Sequence, residues 1–120
     1  MLNFFLGIVL TIVTGLVDGQ AFSKAPQIWS HSGTERVIEF IKTLTIFFVG
    51  LNTYIFSTYF FYQHGVSNAL IITLVWFVAT IISVALIGGT FAALSPIDKL
   101  ISIAAIILVG FLYYRGVASE

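Results

Sequence analysis

Charged side chains are scarce in this chain: it has five basic and five acidic residues, which is 8% of its 120 positions. Soluble domains carry roughly 25% charged residues, and a soluble fold of this size needs polar residues to cover its large surface. Hydrophobic residues make up 59% of the sequence, and the mean hydropathy is +1.09. We therefore expect lipid to surround most of the protein.

Cysteine is absent altogether, which excludes disulfides, thiolate metal sites and thiol nucleophiles. The formal net charge is zero, so no basic face predicts a nucleic-acid partner. The sequence contains no P-loop, no dinucleotide-binding fingerprint and no Ser-His-Asp arrangement. His31 and His64 fall in loops expected on opposite sides of the membrane, where they could not share a metal ion. We expect neither an enzyme nor a bound cofactor or metal.

Four apolar segments are each long enough to cross a bilayer, which needs about 20 residues of helix. They predict an all-α, integral membrane four-helix bundle in a single domain, with spans of about 2–22, 37–61, 69–91 and 96–114. Runs such as 101–112 are apolar all round, without the period-two alternation of barrel strands. The first segment lacks a basic residue before its apolar run, so we expect a retained helix and not a cleaved signal peptide.

The polar breaks between the segments carry boundary signals. Ser95 and Pro96, followed by Asp98, predict the start of the fourth helix, and the glycines at 88 and 89 are expected to loosen the end of the third. Lys24, Arg36 and Lys99 place more positive charge in the first and third loops than on the other side, which favours a cytoplasmic location for these loops. The bias is a few charges, so insertion in both orientations stays open.

A polar residue within a spanning segment costs free energy and is often functional. Asp18 lies in the first segment on a stripe of small and polar residues with Gly7, Thr11 and Thr14, at spacings of four, three and four. Such a stripe is expected to face other helices or a cavity. The alternative is that Asp18, close to the end of its helix, marks only the point where the helix surfaces.

The second and third segments carry further polar positions. Asn52 and Tyr59 are seven residues apart and share one face of the second segment; the alternative for Asn52 is a hydrogen bond between helices. The third segment carries a polar stripe at helical spacing: Thr73, Trp76, Thr80 and Ser83. This stripe, with the aromatic face of Trp76, could line a cavity for an organic cation. The alternative is ordinary packing, with hydroxyls bonded to their own helix.

The layout of four short spans with one acidic residue in the first resembles the small multidrug resistance family of the drug/metabolite transporter superfamily. Trp76 follows the break after the second helix as that family's tryptophan does, and the aromatic and polar stretch 90–96 precedes the last helix. The chain departs from the family in having Asp for Glu in the first helix, no glycine-rich pattern after Trp76 and a long first loop. The resemblance implies that two protomers pair, with Asp18 of each binding substrate or proton alternately. It also implies that the fourth helix, with its small residues, forms the pairing surface.

Two functional hypotheses follow. The first is a small transporter or transporter-like protein of the drug/metabolite type in a bacterial-type inner or plasma membrane, with Asp18 as the coupling carboxylate. The second is a non-catalytic accessory or structural subunit of a larger membrane complex. In either case the partners are the lipid bilayer and a second copy or other subunits. The residues expected along a substrate or proton path are Asp18, Thr14, Asn52, Tyr59, Trp76 and Thr80.

Overall fold

The computed structural model describes residues 1–118, and this part of the chain contains helices and no strand. Helix α1 spans Leu2–Lys24 and continues into a 3₁₀ helix, Ala25–Ser30; α2 spans Gly33–Gln63, α3 Ala69–Ile87, α4 Thr90–Ala93 and α5 Pro96–Ala118. Four of these helices are long and apolar enough to cross a membrane: α1 with its 3₁₀ extension, α2, α3 and α5. The all-α fold and the four spanning helices expected from the sequence are confirmed.

Helix α1 lies at the centre of the arrangement. It packs along both α2 and α3, whereas α2 and α3 scarcely contact each other and α5 packs on α3. The molecule is therefore flattened, with principal dimensions of 50 × 35 × 18 Å. A gap is left between α2 and α3, with α1 as its floor.

Small residues on α1 allow the close approach of its neighbours. A Cβ atom at Gly15 would overlap Ala79 of α3, and one at Gly19 would overlap Ser83 one turn further along. Both helices thus present small residues four apart, which is the usual means of close packing in membranes. Thr11 and Thr14 are fully buried on the same stripe, so the prediction that this stripe faces other helices is confirmed.

The apolar core lies at the turn between α2 and α3. Phe61, near the end of α2, is 1% exposed and packs with Ile71 and Ile72 of α3. The ring of Phe4 meets the ring of Phe61 edge-on at 5.7 Å. This cluster packs the start of α1 against the turn. The second half of α1, which carries Asp18, lies along the gap between α2 and α3.

The helix ends show where local signals act. Helix α3 ends at Ile87 and not at residue 91, because Gly89 takes a positive φ of 63° and the chain then forms the short helix α4. The first loop contains the 3₁₀ helix, and α2 begins at Gly33, earlier than the predicted residue 37. The start of α5 at Pro96 is confirmed: the Asp98 backbone N–H donates to Ser95 Oγ at 3.2 Å.

Candidate functional site

Asp18 is buried between three helices, with 6% of its surface exposed. The indole Nε1–H of Trp76, on α3, donates a hydrogen bond to Asp18 Oδ2 at 2.7 Å. A hydrogen bond to an ionised carboxylate is stronger than one between neutral groups. The structure thus brings together the acidic residue of the first span and the tryptophan of the third, which lie 58 positions apart in the chain.

Gly50 of α2 makes the room that the carboxylate occupies. A Cβ atom at this position would overlap Asp18 Oδ1. The Asp18 carboxylate is therefore held between the Trp76 indole, which donates to Oδ2, and the backbone of Gly50, which lies next to Oδ1. Any larger residue at position 50 would displace it.

Aromatic rings line the space in front of Asp18. A cavity of about 460 Å³ opens there between α2 and α3, and four of its seven lining residues are aromatic. The lining residues are Asp18, Phe22, Phe47, Leu51, Tyr54, Thr73 and Trp76. We call this space the Asp18 cavity.

The rings of this cavity support one another. Phe22 and Phe47 meet edge-on with centroids 5.0 Å apart, and Tyr54 meets Trp76 edge-on at 6.2 Å. The Tyr54 hydroxyl lies 3.1 Å from Thr73 Oγ1, which itself donates to the Ala69 carbonyl at 2.7 Å. These contacts fix the wall of the cavity between α2 and α3, where the two helices otherwise scarcely meet.

Within residues 1–118, the Asp18 carboxyl group has no basic side chain as a salt-bridge partner. The salt bridges within the described residues join His31 to Glu35 and Lys42 to Glu39, and none involves Asp18. A carboxylate surrounded by aromatic faces can accept a proton, or it can hold an organic cation whose charge is also attracted by the rings. The same part of the chain contains no group of three His, Asp or Glu residues suited to a metal ion.

The other predicted site residues are placed differently. Thr14 is fully buried and donates to the Leu10 carbonyl of its own helix at 2.8 Å. Thr80 is 6% exposed and lines a neighbouring cavity instead. Asn52 and Tyr59 do not line the Asp18 cavity: Asn52 is exposed and donates to the Phe48 carbonyl of its own helix at 2.8 Å, and Tyr59 is 55% exposed.

The rotation of α2 explains why Asn52 and Tyr59 are excluded. The face turned to Asp18 carries Phe47, Gly50, Leu51 and Tyr54, at spacings of three, one and three residues. Asn52 lies two residues beyond Gly50 and so points about 200° away around the helix. Residues 47, 50, 51 and 54 follow helical spacing in the sequence, but most of them are apolar. Polarity within an apolar segment therefore does not identify them as cavity residues.

The polar stripe of α3 is divided among three roles. Thr73 bonds its own helix, Trp76 bonds Asp18, and Ser83 Oγ donates across to the Leu16 carbonyl of α1 at 3.3 Å. Thr80 Oγ1 is buried without a hydrogen-bond partner among the described residues. Thr73 and Trp76 therefore line a cavity, as one hypothesis for this stripe predicts, whereas Ser83 packs against α1, as the alternative predicts.

Comparison of the chain with protein-family models, with curated proteins and with solved structures finds no match.

Proposed function

We propose that this protein is a small membrane transporter or transporter-like protein of the drug/metabolite type, whose Asp18 cavity binds an organic cation in exchange for a proton. The observation that carries the proposal is the buried Asp18 carboxylate bonded to Trp76 and faced by aromatic rings. Asp18 and Trp76 are also two of the features that carry the resemblance to the small multidrug resistance family.

The energetic setting supports a functional carboxylate. Placing an aspartate within a spanning helix costs roughly 2.5–3.5 kcal/mol at the helix centre on insertion scales. Asp18 has no basic partner to offset this cost in the described chain, and its one side-chain hydrogen bond comes from a neutral indole. A cation bound in the cavity would supply the missing charge.

The size of the cavity also suits a small organic cation. Ligand sites commonly measure about 300–1,000 Å³ and are mostly apolar with few polar groups. The Asp18 cavity, at about 460 Å³ with one carboxylate, falls in this class. A single carboxylate can hold either a proton or a cation, and this competition is the simplest basis for exchange transport.

Asp18→Asn tests the proposal. The amide keeps the shape of the side chain but can neither ionise nor release a proton, so we expect insertion to be normal and proton-driven movement of quaternary ammonium or phosphonium cations to be lost. The measurement is cation uptake into proteoliposomes under an imposed pH gradient. Asp98→Asn is the matched control, because Asp98 lies at the start of α5 outside the cavity. Uptake by the Asp18 variant at the wild-type rate would rule out the coupling role.

The exposed face of α5 suits either a second copy of the chain, as the transporter hypothesis expects, or another subunit, as the accessory-subunit hypothesis expects. Helix α5 packs on α3 but has none of its spanning window buried, and its small residues Ala104, Ala105 and Gly110 are exposed. Small exposed residues are typical of helix–helix interfaces in membranes. The mass of the intact complex after gentle detergent extraction separates the two hypotheses: a homodimer supports the transporter, and a stoichiometric assembly with larger subunits supports the accessory role.

A further inference from the structure

Helix α2 exposes one side along its whole length. The exposed side chains fall in two sets, each with a spacing of seven: Ile38, Thr45, Asn52 and Tyr59 in one, and residues 41, 48, 55 and 62 in the other. The two sets alternate at spacings of three and four, which is the heptad pattern of helices that pack along each other. The buried Thr43, Gly50 and Ser57 lie on the opposite side of α2. We call the eight exposed positions the outer face of α2.

Asn52 lies at the middle of this face. It follows Lys42, the last charged residue of α2, by ten residues and precedes Gln63 by eleven, so about 15 Å of helix separates it from either polar end. Its Nδ2 donates to the Phe48 carbonyl at 2.8 Å, and its Oδ1 accepts no hydrogen bond within residues 1–118. Polar side chains at this depth normally face another helix, where they form hydrogen bonds, and not lipid.

The outer face also extends beyond the hydrocarbon of the bilayer. Helix α2 has 31 residues, or about 46 Å of helix, whereas the hydrocarbon core is about 30 Å thick. Its first ten residues include the charged side chains of Glu35, Arg36, Glu39 and Lys42, so this part projects from the core. Ile38 and Ile41 lie on the projecting part and are 45% and 55% exposed. Acyl chains alone leave them uncovered, and a protein partner along α2 would cover them.

We propose that the outer face of α2 binds a second copy of this chain, inserted in the same direction and paired α2 to α2 as a left-handed coiled coil. A carboxamide both donates and accepts hydrogen bonds, so Asn52 is complementary to the partner's Asn52 across a two-fold axis. A single Asn in a heptad seam is also a known determinant of register and of oligomeric state. Only the parallel arrangement brings the two projecting ends together, so that Ile38 and Ile41 of each copy are covered.

The outer face is separate from the Asp18 cavity. None of its eight positions lines that cavity. Asn52 follows Phe47, which does line it, by five residues and so lies about 140° around the helix from it. Pairing through α2 is therefore independent of what binds at Asp18. It also differs from the pairing through the fourth helix that the resemblance implies.

Single cysteines test this surface, because the chain has none of its own. Ile38→Cys, Ile41→Cys and Thr45→Cys are oxidised with copper phenanthroline in membranes of cells that express the full chain. Phe40→Cys is the matched control, since Phe40 is 49% exposed and lies about 100° around α2 from Ile41. Ala104→Cys, at an exposed position of α5, tests the other pairing surface.

The expected result is disulfide-linked dimers at positions 38, 41 and 45 and few at 40 and 104. Equal yields at 40 and 41 would indicate random collision, and dimers at 104 alone would place the second copy on α5. Either result overturns the proposal. Disulfides between co-expressed Ile41→Cys and Tyr62→Cys chains would show antiparallel pairing and would overturn it as well.

Asn52→Leu tests the hydrogen bond across the pair. Dimerisation is measured by energy transfer between donor-labelled and acceptor-labelled chains as the protein is diluted with lipid. We expect Asn52→Leu to weaken dimerisation by about 3- to 30-fold, the range for hydrogen bonds between spanning helices. Asn52→Gln keeps the carboxamide and should restore most of the affinity. Thr53→Val is the matched control, because it removes a neighbouring hydroxyl that donates within its own helix and lies off the outer face.

Unchanged dimerisation of Asn52→Leu would overturn pairing through Asn52. Absence of energy transfer in the parent protein would overturn the second copy as the occupant and leave lipid or another subunit on the outer face. Both outcomes leave cation binding at Asp18 untouched, so failure of this proposal is distinct from failure of the proposed function.

Discussion

At the scale of single residues, two helical glycines differ in what surrounds them. Gly50 is buried, and a Cβ atom added to it would overlap the Asp18 carboxylate; a Cβ atom added to Gly110, in α5, would have no atom within 4 Å. The same change at both positions therefore separates the effect on the site from the effect on the helix.

Gly50→Ala is expected to weaken Asp18-dependent cation binding by about tenfold or more, because displacing the carboxylate breaks a charge-assisted hydrogen bond of about 1.5–3 kcal/mol. Gly110→Ala is expected to bind as the wild type does. Titration of both variants with the same cation checks this. Unchanged affinity in Gly50→Ala would mean that the carboxylate does not need the place that the structure assigns to it.

At the scale of elements, the contact between α1 and its two neighbours decides whether a site forms at all. A Cβ atom at Gly15 would lie 2.8 Å from the backbone carbon of Ala79 and 2.9 Å from the backbone nitrogen of Thr80. One at Gly7 would lie 3.1 Å from the ring of Phe61, which is a side chain and can shift. Backbone cannot move aside without moving the helix.

Alanine substitutions are thus expected to rank by what they meet. Gly15→Ala should lower the free energy of unfolding by about 1–3 kcal/mol, the range for overpacking; Gly7→Ala should cost less, and Gly110→Ala should cost nothing. Unfolding in mixed micelles measures the three values. Equal values for Gly15→Ala and Gly110→Ala would contradict the close packing of α1 on α3.

At the scale of the whole molecule, the absence of cysteine makes the orientation directly measurable. Single cysteines at Ser32 and Ser67, both exposed, would mark the first and second loops. The charge bias of Lys24, Arg36 and Lys99 predicts that the first loop is cytoplasmic.

A membrane-impermeant maleimide added to intact cells should therefore label Ser67→Cys and leave Ser32→Cys unlabelled until the cells are opened. The opposite pattern would reverse the predicted orientation. Labelling of both from outside would show that the protein inserts in both directions.

The sequence predicted the parts of the architecture that depend on local composition. The number of spans, the start of α5 at Ser95–Pro96 and the inward stripe of Gly7, Thr11 and Thr14 all follow from residues close together in the chain. Gly88 and Gly89 signalled a weak helix end, but the complete break after Ile87 and the short helix α4 depend on the left-handed conformation of Gly89.

Part of the lining of the Asp18 cavity can be predicted from the sequence. Polar groups stand out in apolar segments, which points to Asp18, Trp76 and Thr80, and the structure brings the first two into contact. The same property points to Asn52, which lies outside the cavity, whereas Tyr54 and Phe47 line it. Polarity marks a residue as unusual without saying which way its helix is turned.

Hydropathy and helical periodicity by themselves thus determined that the chain is all-α, with four helices long and apolar enough to cross a membrane, because lipid requires every backbone polar group to be hydrogen-bonded within the protein and a helix achieves this within one segment. Tertiary structure alone decided which side of α2 meets Asp18, that α2 and α3 stand apart, and that Thr80 faces a second cavity. The physical reason is that rotation and spacing of helices are set by close contacts such as Gly15 with Ala79, between residues far apart in the chain.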